Sequence, residues 1–144
     1  MKDPSYNIRV AEAELLAGIL WAGNQVPVYD EMAPDTAPDI RIIFQEINGG
    51  GAPSTKCGFG GDWSRVIKVT QIFPGTARVN KDAVDHISSE ILTRLVPLYP
   101  TMDLGPEFTL WRAQGFIIGN QTYEDGSNKY IDKNIRITYS ITEN

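Results

Sequence analysis

Three places in this sequence hold residues whose types and spacing suggest chemistry. The first is the run Asn48 to Asp62, NGGGAPSTKCGFGGD, where closely approaching backbone N–H groups and Lys56 could cradle phosphate. The spacing fails. A phosphate-binding loop has glycine before its lysine and Ser or Thr after it, whereas Thr55 precedes Lys56, Cys57 follows it, and a strand pattern comes next. Trp63 also stands where a dinucleotide fingerprint places its last glycine. The second place is the pair His86 and Cys57, the only histidine and the only cysteine. Nucleophilic catalysis needs a base beside the nucleophile, and zinc needs several nitrogen and sulfur ligands. One residue of each kind, with no shared context, meets neither requirement. The third place is the carboxylate-dense segment holding Asp30, Glu31, Asp35 and Asp39, enough acid to hold a hard cation or to supply an acid and a base. Its spacing is not that of an EF-hand, and each acid stands beside turn-forming residues, so a solvated, proline-punctuated loop is the simpler reading. No catalytic residue, metal or cofactor is expected.

The elements that must position these residues can be read from periodicity. A helix is predicted from about Pro4 to Ala22, with Asp3 as its cap, Gly23 as its stop and a stripe of Ile8, Ala11, Leu15 and Ile19 facing a core; Glu12 is placed on the opposite side. Val26-Pro27-Val28-Tyr29 reads as an edge strand, Asp30 to Asp39 as a loop, and Ile40 to Ile47 as a strand. With six glycines and one proline, Asn48 to Asp62 is predicted to be a loop. Phe59 lies inside it with no local core, and Phe59, Trp63 and Lys56 are the candidate subunit-interface residues. A strand follows over Trp63 to Phe73, its odd-numbered residues Trp63, Arg65, Ile67 and Val69 sharing one face. The second helix carries the stripe Val84, Ile87, Ile91, Leu92 and Leu95, with Asn80 as cap and Pro97 as stop; His86 falls off that stripe, toward solvent. Strands are predicted over Phe108 to Ile118 and through the alternation Ile131 to Ile141, with Asp125-Gly126 in the turn before the last. Helix, three strands, helix, two strands is an α+β order: a mostly antiparallel sheet with both helices on one face.

Length and charge bound what such a unit can do. The 144 residues, 42% apolar and 22% charged, suit one domain spanning 1–144. A chain of this size buries roughly 68–70% of its unfolded surface and needs no disulfide or structural metal. The net charge of −5 excludes general attraction to phosphate backbones or anionic lipid. Residues 1–62 hold nine acids and four bases, and residues 63–144 hold nine of each, so the whole excess lies in the first part. The start MKDPSYNIRV has no apolar core of a signal peptide, and no run approaches the ~20 residues of a membrane span, so a soluble protein made in the cytoplasm is expected.

The first helix leading to Val26-Pro27-Val28-Tyr29-Asp30, the Ala37-Pro38 that precedes strand Ile40 to Ile47, and the glycine-rich interruption before Trp63 form a distinctive order. The helix Lys81 to Val96 and the closing Asn134-Ile135-Arg136-Ile137-Thr138-Tyr139 complete it. In this order the chain resembles the tail terminator or tail completion proteins of tailed bacteriophages. The resemblance implies a non-enzymatic virion subunit, assembled in the host cytoplasm into a homo-oligomeric ring, a hexamer or else a dodecamer, at the head-to-tail junction. Its partners would be copies of itself and neighbouring portal, adaptor, neck or tail tube proteins, with DNA only in transit and no membrane. Asp30, Glu31, Asp35 and Asp39 would then form an acidic channel or rim that keeps DNA from sticking. The longer glycine-rich segment, Pro97 to Glu107 and Trp111 depart from the family pattern. The alternative is a small α+β enzyme or ligand-binding domain that uses the acids of Asp30 to Asp39.

Overall fold

The computed structural model describes residues 2–55, 58–97 and 100–144. Helix α1, Ser5–Leu16, is entered through Asp3, whose Oδ1 accepts hydrogen bonds from the Ser5 N–H (2.9 Å) and hydroxyl (2.6 Å). It stops at Leu16, short of the expected Ala22. Two features explain the early stop. Gly18 adopts a left-handed φ of 82°, and Arg94 Nη1 donates to the terminal carbonyls of Leu15 (3.1 Å) and Ala17 (2.9 Å), which a longer helix would occupy. The freed residues form a small ribbon, β1 (Leu20–Trp21) against β2 (Asn24–Gln25). Ala22 and Gly23 both have positive φ, as a two-residue hairpin of type I′ requires.

Strand β3, Val28–Asp30, pairs in parallel with Ile42–Phe44 of β4, Ile40–Thr55. β5 spans Gly58–Pro74 and pairs antiparallel with β4. The glycine-rich segment is therefore a long two-stranded extension of the sheet, not the loop predicted for residues 48–62; residues 56 and 57 lie outside the described residues. Close approach accounts for glycine here: a Cβ on Gly49 would stand 2.5 Å from the Asp62 carbonyl oxygen and 2.7 Å from Trp63 Cα. Helix α2, Asp82–Leu95, follows, with Val84, Ile87, Ile91 and Leu95 buried as its stripe predicts. β6, Phe108–Asp125, runs well past Ile118 before a two-residue turn at Gly126-Ser127 leads to β7, Asn128–Glu143.

The five-stranded sheet has the order β3-β4-β5-β7-β6, parallel only between β3 and β4, so the class is α+β with a mostly antiparallel sheet. The element order matches the expected one, with the β1–β2 ribbon added. Both helices cover the face carrying the odd-numbered residues of β5 and β7. From α1, Glu12 bonds to Arg65 and Tyr139; from α2, Asp85 accepts from Lys133 Nζ at 2.7 Å. The period of two in β7 drives this packing, since Ile131, Ile135, Ile137, Tyr139 and Ile141 are all buried on that face.

Candidate functional site

The covered face buries a charged pair. Glu12 is 0% and Arg65 1% exposed, and Arg65 Nε donates to Glu12 Oε1 at 2.9 Å while the Tyr139 hydroxyl donates to Oε2 at 2.8 Å. Arg65 Nη1 donates to the Gln45 carbonyl, and the guanidinium lies 4.8 Å from the centroid of the Phe44 ring. Burial raises the Glu12 carboxyl above its ordinary value, with the Arg65 charge and the Tyr139 hydroxyl pulling the other way. Burial also lifts the Tyr139 hydroxyl well above the usual phenol range, and the neighbouring carboxylate adds to the effect. The placement of Glu12 away from the core is thus corrected. Four-residue steps set it between Ile8 and Leu16, both fully buried, and strand alternation sets Arg65 between buried Trp63 and Ile67. Opposite charges interrupting two apolar rows were the signal in the sequence. Nothing in those rows says that the two elements meet.

The acidic segment does not converge on one site. Asp30 ends β3 and lies 3.4 Å from Arg9; with Glu31 it lines a cleft of about 170 Å³ that Arg65 and Glu46 also border. Asp39 lines a separate open cleft of about 600 Å³ between the β1–β2 ribbon and the start of β4, with Trp21, Gln25 and Pro38. Asp35 is exposed in the turn closed by the Ala37 N–H to Pro34 carbonyl bond of 2.9 Å. Among the described residues no group of three His, Cys, Asp or Glu side chains is placed to hold a metal ion. His86 is exposed on α2, its ring 5.5 Å from that of Trp21. Cys57 and Lys56 lie outside the described residues, as does the side chain of Phe59, whose backbone pairs with Pro53. Trp63, expected at a subunit contact, is 5% exposed in the core, because the alternation that buries Ile67 turns it under the helices as well.

The sheet also has an open edge beside β7, whose exposed apolar side chains periodicity alone does not reveal. β6 is the outermost strand, and it holds four large apolar side chains in water: Trp111 (66% exposed), Phe116 (51%), Ile117 (47%) and Ile118 (46%). Trp111 and Ile118 occupy register shifts against β7, where a bulge lets consecutive side chains escape the in-out alternation. Trp111 Nε1 donates to Thr142 Oγ1 at 2.7 Å, and the Arg136 guanidinium lies 5.8 Å from the Phe116 ring centroid. The uncovered sheet face beside them is polar, with Ser64 and Thr138 hydroxyls 3.1 Å apart and Ser140 Oγ donating to Asp62 at 2.7 Å. Farther along, Tyr123 and Tyr130 stack at 5.0 Å, and the Tyr123 hydroxyl is pushed up to about 12 by burial and then by Asp132. Its chemistry is that of a contact surface: unpaired backbone groups, apolar side chains and fixed hydroxyls.

No protein-family model matches this sequence, and no curated protein matches it. Among solved structures, a chain described as "Virion of native gene transfer agent (GTA) particle" is similar at 17% identity and a TM-score of 0.49, over 95% of this chain and 91% of that one. A likeness of that degree assigns neither activity nor partner. Among the described residues no helix is long and apolar enough to cross a membrane.

Proposed function

We propose that this protein is a non-enzymatic structural subunit of a phage-type virion that assembles with copies of itself into a ring at the head-to-tail junction, with DNA passing through. The observation that carries the reading is the open edge of β6. A strand of 18 residues with four exposed large apolar side chains is a liability in a free monomer and a contact in an assembly. The order of elements that resembles the tail terminator proteins supports the same reading. A hexamer, or else a dodecamer, would multiply the excess acid of residues 1–62, setting Asp30, Glu31, Asp35 and Asp39 as a rim that repels phosphate. Portal, adaptor, neck or tail tube proteins would flank it.

The test is the protein content of purified particles. Mass spectrometry and electron microscopy should find the chain at fixed stoichiometry, as one ring where tail meets head. Particles that carry genome and tail but lack the chain would overturn the proposal.

A further inference from the structure

We infer that the sheet face left open by the helices binds the phosphate backbone of nucleic acid through a diagonal stripe of cations, Arg41, Lys68, Arg136 and Arg112. The inference deepens the ring reading and rests on it for the presence of DNA beside the protein. The strand register builds the stripe. Arg41 on β4 stands opposite Thr70, so Lys68 lies one strand over and two residues along; Lys68 stands opposite Asn134, which sets Arg136 one strand farther by the same step. Diagonal neighbours of this kind are about 7–8 Å apart. Arg112 on β6, opposite Ser140, continues the line after a double step along the strands. Ile42, Ile67, Ile137 and Ala113, next to the four cations in sequence, are buried on the helix-covered face, so alternation puts the cations on the other one. Arg112 and Arg136 are exposed there, and Arg41 and Lys68 are half-buried.

The stripe has no anion of its own. Among the described residues none of its four cations forms an ion pair, and Arg41 Nε is buried with no acceptor. The two acids beside the stripe, Asp62 and Asp132, accept instead from the hydroxyls of Ser140 (2.7 Å) and Thr70 (2.8 Å). Asp30 and Glu31 line a cleft bordered by α1, and Asp39 one bordered by the β1–β2 ribbon, both on the other side of the sheet. Salt confines fields to about 10 Å, so four cations and two acids make this face locally positive on a chain whose net charge is −5. A line of cations calls for anions in a line, and the phosphates of a nucleic-acid strand are regularly spaced charges of that kind. The acids of a second copy are not, because they lie in separate clefts. Ser64 and Thr138 stand in the gap between Arg136 and Arg112, their hydroxyls 3.1 Å apart. One hydroxyl donates to the other, which leaves the second free to donate to a phosphate oxygen.

Fluorescence anisotropy of a short labelled DNA duplex, titrated with the purified full chain at two salt concentrations, tests this. Four phosphate contacts should make binding about a hundredfold weaker at about 200 mM than at about 50 mM salt. Lys68→Gln with Arg136→Gln should lower affinity at the lower salt about tenfold or more and roughly halve the salt slope. Arg112→Gln, at an exposed position, should reduce that slope by about one contact. Arg78→Gln with Lys81→Gln removes the same charge from exposed positions between β5 and α2, outside the sheet, and should change neither quantity. Unchanged far-ultraviolet spectra establish that the variants are folded. A wild type that does not bind at about 50 mM salt, or a control pair that weakens binding as much as the stripe pair, would overturn the inference. So would stripe variants that weaken self-association in sedimentation while no form binds the duplex, the result expected if acids of a second copy cover this face. None of these results touches the presence of the chain in particles, which tests the ring reading separately.

Discussion

Beneath α1 a carboxylate, a guanidinium and a phenol are sealed from water, while along β6 a tryptophan, a phenylalanine and two isoleucines stand in it. Each region reverses the usual placement of side chains, but the two differ in what they still lack. Glu12 has both oxygens bonded, Arg65 has its charge matched, and Tyr139 has an acceptor, so the requirements of the buried group are largely met within the monomer. Among the described residues β6 is paired on one side only, and its four large apolar side chains stay about half or more exposed. Changes in the first region should therefore act on folding, and changes in the second on association.

The largest effect belongs to Arg65→Met. It leaves Glu12 buried without its counter-charge, and breaking a buried pair from one side costs about 3–5 kcal/mol. Urea denaturation should register that loss as a lower midpoint. Replacing both charges, Glu12→Leu with Arg65→Met, should return most of it, because no buried charge then remains. If the double variant proves no more stable than Arg65→Met alone, the pair contributes through packing around Phe44 rather than through charge matching.

Tyr139→Phe is the next largest change. It removes only the hydroxyl that serves Glu12 Oε2, and one buried acceptor left unmatched costs about 1–3 kcal/mol. A cost near zero would mean that solvent from the cleft lined by Arg9, Asp30 and Glu46 reaches the carboxylate.

The two regions also differ in how far sequence could reveal them. The stripe of α2 and the alternation of β7 were legible because each has a clean period, and a period is a local property of the chain. Glu12 stood in a visible four-residue row and Arg65 in a visible two-residue row. Their contact spans 53 residues, and a lone charge on an amphipathic helix ordinarily faces water. Gly49 misled for a different reason. Glycine ends most regular elements, yet here it answers a cross-strand approach to Trp63 that only pairing creates. As for β6, an apolar side chain on a strand looks the same whether the strand is central or outermost, so the exposure of Phe116 and Ile118 followed only from the sheet order. The acidic residues are a cluster in sequence only: Asp30 and Glu31 line one cleft, Asp39 another and Asp35 neither.

A subtler effect is the pH dependence of the buried pair. The folded Glu12 carboxyl is raised above its ordinary 4.5, so below that value it holds its proton in both states and contributes its full share of stability. As pH rises, the unfolded chain releases the proton first, which favours unfolding until the folded carboxyl also ionises. The stability advantage of the wild type over Glu12→Gln should therefore narrow as pH rises from about 4 toward neutrality. Denaturation midpoints of both proteins across that range measure it. An advantage that widens instead would show that Arg65 favours the carboxylate more than burial penalises it.

The smallest effect on folding is expected at the edge. Phe116 is half exposed, and its ring packs near Arg136 at the surface, so Phe116→Ser removes little buried area and disturbs no buried bond. Surface changes of this kind shift stability by within about 0.5 kcal/mol, and the denaturation midpoint should hardly move. Colloidal behaviour should move instead: light scattering at rising concentration should report weaker self-association than in the wild type, because the change removes apolar area from an unpaired edge. The contrast with Tyr139→Phe is instructive, since that change deletes a single oxygen and should cost more stability than replacing a whole aromatic ring on β6. Were Phe116→Ser to destabilise the monomer by as much as Tyr139→Phe does, β6 would be part of the core rather than its open edge, and the division between the two regions would fall.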